Sequence, residues 1–135
     1  MITIKTQIDA PIEIVWSLYT EPEHIMQWNQ ATDDWHTPSV TNNLEVGGEF
    51  CYTMAAKDGS VEFDFSGKYT KIDELSLIAY TLDDDRKVIV EFEEIEDIVH
   101  ISLTFEPEDM NPPEIQEAGW QAILDSFQRY VEGGI

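Results

Sequence analysis

The chain has 135 residues, 42% of them hydrophobic and 11% aromatic, which suits one domain burying roughly two-thirds of its unfolded surface around a single core. Its 28 acidic side chains against 7 basic ones give a formal charge of −21, which argues against binding nucleic acid or an anionic membrane without a basic patch, and no such patch is visible. No apolar run approaches the roughly 20 residues that span a bilayer, and the opening MITIKTQIDAP lacks the basic start and apolar middle of a signal peptide, so the expected location is the cytoplasm.

Ile2, Ile4, Thr6 and Ile8 alternate with polar residues and predict a first strand. Asp9 is placed to cap a short helix that has Pro11 in its first turn and Ile12, Val15, Trp16 and Tyr19 on its apolar side. Thr20 is placed to cap a second short helix, with Pro22 at its start and Ile25, Met26 and Trp28 as its buried members. Residues 29–43 are polar and turn-rich apart from Trp35 and Val40, which predicts an irregular connection holding a short strand.

From Leu44 onward the pattern becomes strands: LEVGGEFCYTMAA, VEFDFSGKYTKI, LSLIAYTL, RKVIVEFEEI and DIVHISLTFE. Lys57-Asp58-Gly59-Ser60 and Asp83-Asp84-Asp85 have hairpin composition, and the short links imply an antiparallel meander. Phe50, Tyr52 and Met54 share one face, as do Val61, Phe63 and Phe65, and as do Val99, Ile101, Leu103 and Phe105. Gly47-Gly48 and Gly67 fall inside strand patterns and are read as bulges where the sheet curves. Cys51, the single cysteine, allows no intramolecular disulfide and reads as a packing residue.

Glu106-Pro107 and Asn111-Pro112-Pro113 break the sheet before the one long amphipathic helix, Glu114 to Glu132, which Gly133-Gly134 would end. Trp120, Leu124, Phe127 and Val131 form its apolar stripe; Gln121, Asp125, Gln128 and Glu132 lie opposite. A single helical stripe laid across a strongly curved sheet leaves part of the concavity unfilled. The expected result is an α+β fold with a mostly apolar cavity, its mouth lined by the Trp35 loop and its lid formed by Trp120 and Phe127.

APIEIVWSLYTEPEHIMQW, LEVGGEF followed by KDGS, FDFSGKY and GWQAILDSFQRYVE together resemble the START-like (SRPBCC) superfamily, in the branch similar to the activator of heat shock protein 90 ATPase. The resemblance covers essentially the whole chain, residues 1–135, and implies a helix-grip fold: a curved antiparallel sheet around a long C-terminal helix, with two short helices after the first strand. It further implies Trp28, Trp35, Phe50, Met54, Phe65, Tyr69 and Trp120 as cavity-lining residues. Tyr52 joins them because it, like Trp28, Trp35, Tyr69 and Trp120, carries a polar atom that needs a partner when buried. Superfamily members bind apolar small molecules, catalyse cyclisation or hydrolysis, or, in the eponymous co-chaperone, bind a protein partner.

Chemistry-bearing residues are sparse. His24, His36 and His100 lack the spacing of a metal site, and nothing in the sequence calls for a cofactor. His36, beside Asp33 and Asp34, is a candidate polar anchor at the cavity mouth. Arg86 follows three aspartates and either enters the cavity to meet a carboxylate or pairs with its acidic neighbours at the turn. Asp64 faces outward if Phe63 and Phe65 face in, and is a buried acid if a bulge reverses them. No nucleophile elbow or phosphate-binding glycine loop is present. The leading expectation is a non-enzymatic binder of an apolar or amphipathic small molecule. A chaperone-type protein-interaction or stress-adaptor module comes second, and a cavity hydrolase or polyketide-cyclase-like enzyme third.

Overall fold

In the computed structural model, which describes residues 1–133, the chain runs β1 (Ile2–Ile8), α1 (Ile12–Thr20), α2 (Pro22–Trp28) and β2 (Trp35–Asn42). It continues through β3 (Glu49–Ala56), β4 (Glu62–Asp73), β5 (Leu77–Leu82), β6 (Lys87–Ile95) and β7 (Ile98–Phe105) to α3 (Pro113–Glu132). The seven strands form one antiparallel sheet in the order β1-β7-β6-β5-β4-β3-β2, a meander from β2 to β7 with β1 paired back onto β7. The sheet curls into a half-barrel that holds α3, the helix-grip arrangement implied by the resemblance.

Alternation sets which side of each strand turns inward. Val88, Val90 and Phe92 of β6 are buried while Lys87, Ile89 and Glu91 are exposed, and Val99, Ile101, Leu103 and Phe105 of β7 are buried in the same way. The tightest core lies where α1, α2 and the second half of α3 meet the sheet. Ile8, Val15, Ile25 and Phe127 are all fully shielded there. Gln121 of α3 donates from Nε2 to the Lys5 carbonyl of the edge strand β1 at 3.0 Å, so the helix also satisfies part of an unpaired strand edge.

Both expected caps are replaced. The first amide of α1, on Ile12, donates to Glu94 Oε2 of β6 at 3.1 Å, so a strand side chain caps the helix in place of Asp9. Thr20 Oγ1 donates back to the Trp16 carbonyl at 2.8 Å, which consumes its hydroxyl inside α1, and Glu21 occupies the cap position of α2 without a side-chain bond. Met26 is 37% exposed because α2 turns Ile25 and Trp28, not Met26, toward the sheet. Residues 35–42 form a full eight-residue strand, not a loop with a short strand in it. Pro38 is tolerated because β2 is an edge strand and its register shifts between His36 and Ser39.

The glycine bulges also move. Gly47 takes a left-handed φ of 84° in the turn before β3, outside any strand. Gly67 sits in unbroken register between Phe50 and Leu82, and the β4 irregularity falls between Tyr69 and Lys71. What Gly67 provides is room: a Cβ there would stand 2.5 Å from the Thr81 carbonyl oxygen and 3.1 Å from the Phe50 ring. Val61 precedes β4 and is 51% exposed, so it leaves the inward set assigned to Phe65. Gly133 does close α3, its amide donating to the Arg129 carbonyl at 2.8 Å; Gly134 lies outside the described residues.

Gly67→Ala is expected to lower stability by about 2 kcal/mol, as overpacking against an aromatic ring and a strand carbonyl typically does. Urea unfolding followed by circular dichroism measures it, and an unchanged midpoint would show that Phe50 does not depend on the missing side chain.

Candidate functional site

The first half of α3, which touches the sheet through Trp120 and Gln121, roofs a cavity of about 440 Å³, within the size range of small-molecule sites. The floor comes from β3, β4 and β5, where Phe50, Tyr52, Phe65, Tyr69 and Tyr80 turn inward beside Met54 and Ile78. Phe50 is at their centre, with ring centroids 5.3 Å from Tyr52, 5.9 Å from Phe65, 5.3 Å from Tyr69 and 4.9 Å from Tyr80. Gly119, Trp120, Ile123 and Leu124 form the roof, and Tyr19 with Trp28 forms the inner end. Trp120 is held flat on Phe105, centroids 4.1 Å apart and planes 6° apart, and meets Phe65 edge-on at 5.8 Å.

Most polar atoms in this lining are already paired. Tyr69 donates its hydroxyl to Asn42 Oδ1 at 2.5 Å, and Asn42 Nδ2 donates to the Thr20 carbonyl at 2.7 Å. Trp28 Nε1 donates to the Leu18 carbonyl at 2.9 Å, which answers the need created by burying that indole. Asn29 and Thr37 satisfy one another, Thr37 Oγ1 donating to the Asn29 carbonyl at 2.6 Å. Tyr19 and Tyr80 differ: both line the cavity and neither hydroxyl makes a hydrogen bond among the described residues, yet neither is sealed in, since no buried side-chain polar atom there lacks a partner.

The mouth is formed by exposed apolar side chains and a clasped loop. Phe63 is 47% and Ile115 63% exposed, and both also line the cavity. Between β7 and α3, Gln116 Oε1 accepts from the Glu108 amide at 2.8 Å, while its Nε2 donates to the carbonyls of Glu108 at 3.0 Å and Asn111 at 2.7 Å. One buried amide thus ties residues 108–111 to the first turn of α3, beside the opening.

Trp28, Phe50, Tyr52, Met54, Phe65, Tyr69 and Trp120 come together around this cavity, and Arg86 joins them. Arg86 pairs with its acidic neighbour at the turn, its Nε donating to Asp84 Oδ2 at 2.7 Å, and its side chain also borders the cavity. Trp35 starts β2 and packs edge-on against Phe63 at 5.8 Å, behind the rim and outside the lining. Phe127 is no part of a lid: it is fully buried between Tyr19 and Trp28, at 5.0 and 4.8 Å. His36 is exposed on β2 opposite Ala55, away from the cavity, because the strand's alternation turns it outward. Asp64 also faces solvent and accepts from Thr53 Oγ1 at 2.9 Å.

Sequence reading missed Tyr19 and Tyr80 as cavity residues, together with Asn42 and Gln116. A signal for Gln116 was present, since it lies four residues before Trp120 and so interrupts the apolar stripe with a polar side chain. Also missed were Glu21, Glu23 and His24, whose side-chain donor atoms all lie within 4.8 Å of one another around the start of α2. His24 Nδ1 is hydrogen-bonded to the Tyr130 hydroxyl at 2.8 Å, which leaves one ring nitrogen of that group open.

A curled antiparallel sheet that grips a terminal helix and leaves an aromatic cavity beneath it defines the helix-grip class. Over residues 9–132 the sequence matches the family described as Activator of Hsp90 ATPase homolog 1-like protein, and the chain belongs to that family. It is similar to the solution structure of the AHSA1-like protein from Aeromonas hydrophila, at 42% identity and a TM-score of 0.90, covering 98% of this chain and 93% of that one. The solution structure of Chr148 from Cytophaga hutchinsonii is 48% identical, with a TM-score of 0.86 and coverage of 98% and 92%. Protein CV1439 from Chromobacterium violaceum, at 23% identity, a TM-score of 0.85 and coverage of 98% and 99%, shares the fold. Among curated proteins, none matches the sequence.

Burial raises the hydroxyls of Tyr19, Tyr52, Tyr69 and Tyr80 well above the ordinary tyrosine value, so they stay protonated donors at any physiological pH. An unfolded chain ionises its tyrosines near pH 10 and the folded chain resists, so the stability these groups contribute is complete below about pH 10 and is lost as pH rises beyond it. At about pH 10.5 the folded protein should show far less tyrosinate absorbance at ~295 nm than the same chain in urea. Equal absorbance in the two states would place these hydroxyls in water.

Proposed function

We propose that this protein binds an apolar or amphipathic small molecule in the cavity between the sheet and α3. One observation carries the reading. Gly119 lies mid-helix, where glycine costs about 1 kcal/mol relative to alanine, and a Cβ there would meet nothing within 4 Å. No neighbour requires the missing side chain; its effect is to leave volume under the roof. The lining supports the same reading, since it is largely aromatic and most of its polar atoms are already satisfied.

Gly119→Ala should stabilise the fold by about 1 kcal/mol through helix propensity alone. Gly119→Leu should keep the fold while weakening binding of a neutral apolar dye such as Nile red at least about tenfold, because its side chain fills the void. The dye's fluorescence titration measures the effect. Undiminished binding in a folded Gly119→Leu protein would remove the cavity as the site.

A second reading, a protein-interaction or stress-adaptor module in the cytoplasm, has its own support. The family's description names an ATPase activator of a chaperone, and the outer face of β6 combines Glu91 and Glu93 with Ile89 at 37% and Ile95 at 45% exposure. An acidic face with apolar side chains suits a basic partner. Salt-sensitive capture of such a partner, unaffected by Gly119→Leu, would favour it over the cavity.

A further inference from the structure

We propose that the cavity ligand is a monocarboxylic acid with an apolar body, its carboxylate held by the terminal amino groups of Arg86 and the hydroxyl of Tyr80. This rests on the cavity-binding reading and specifies which end of the ligand lies where.

Polar capacity in the lining is unevenly distributed. At the inner end, the Tyr69, Asn42 and Thr20 chain and the Trp28 indole have their partners within the protein, and the Tyr19 hydroxyl is open without a basic side chain of that end to join it. The other end pairs an open hydroxyl with the cation of Arg86. Tyr80 is only 9% exposed, borders the cavity, and has no hydrogen-bond partner for its hydroxyl among the described residues. No buried side-chain polar atom among the described residues lacks a partner, so this hydroxyl is not sealed in the core; it opens on the cavity, free to donate to a ligand. Arg86 stands opposite Leu82 across the β5–β6 turn, the Leu82 amide donating to its carbonyl at 2.8 Å, and Tyr80 is two residues before Leu82 on the same face, so Arg86 and Tyr80 border the cavity from one wall.

Charge narrows the ligand further. Among the described residues Arg86 is the one basic side chain in the lining, in a chain with only 7 lysines and arginines. Asp84 engages its Nε alone, and Asp84 is 54% exposed, so the pair is water-screened and contributes at most about 1 kcal/mol. The terminal amino groups of a guanidinium are a planar fork suited to a carboxylate. Glu108 also borders the mouth, and its carboxylate accepts from Asn111 Nδ2. One free cationic edge with acidic neighbours on both sides suits a monoanion and disfavours a phosphate dianion.

Size sets the body. At about 30 Å³ per water-sized group, a void of about 440 Å³ holds roughly 15 non-hydrogen atoms. Dodecanoate is of that size, and dodecan-1-ol offers the same chain without the charge.

Calorimetric titration of the full chain with dodecanoate and dodecan-1-ol, below their micelle and solubility limits at neutral pH, tests the assignment. Wild type should bind the acid at least about tenfold more tightly than the alcohol, the worth of a charge-assisted pair of hydrogen bonds. Arg86→Gln should abolish that preference by lowering acid affinity to about that of the alcohol, whose continued binding shows the cavity intact. Tyr80→Phe should weaken acid binding severalfold with the same control. Equal affinity for acid and alcohol, or a preference that survives Arg86→Gln, would overturn the carboxylate site and leave the cavity reading standing. Binding of neither compound would overturn both.

Discussion

Phe127 is the point on which this architecture depends. It is fully buried, and its ring lies against Tyr19 of α1 and Trp28 of α2 at about van der Waals distance, so one side chain joins the long helix to both short ones. Burial of such a ring contributes roughly 2–3 kcal/mol, and the aromatic contacts add to it. Because α3 is anchored through Phe127 and Val131 at its C-terminal half, its N-terminal half is carried over the sheet as a rigid rod. Trp120, flat on Phe105, then sets the height of that rod above β3 to β5. The cavity is the space between these two contacts.

That division explains why apolar stripe residues on one helix have different roles. Phe127 and Val131 are core, Leu124 is buried yet still borders the cavity, and Trp120 and Gly119 face the void, so the change happens within about two turns. Spacing along the helix assigns all of them to one face but says nothing about how far the opposing surface lies. Phe127 was therefore expected at a lid and is found in the core. Only the curl of the sheet distinguishes the two ends.

The fold was legible because it rests on periodicity and element order. Alternation in β6 and β7, the helical stripe and the two proline-led helices are all local signals, and the family motifs run through the chain in the same order. Features set by contacts between distant residues were not legible. Glu94 caps α1 across 82 residues, Gly67 answers to Phe50, and Trp35 is diverted from the cavity by Phe63. The floor aromatics were found because strand alternation fixes their face. Tyr19 and Tyr80 were passed over because a tyrosine inside an apolar run reads as core, and only the hydrogen bonds of the folded chain show that their hydroxyls are left out.

The central claim is the proposal that a small apolar ligand is held in the space beneath α3 rather than on the outer face of β6. Intermolecular nuclear Overhauser effects from a bound apolar ligand to assigned side chains test it most directly. The account predicts contacts to Phe50, Tyr52, Tyr80, Trp120 and Ile123, with Phe127 and Val131 silent. Contacts confined to Ile89 and Ile95 on the outer face would contradict it.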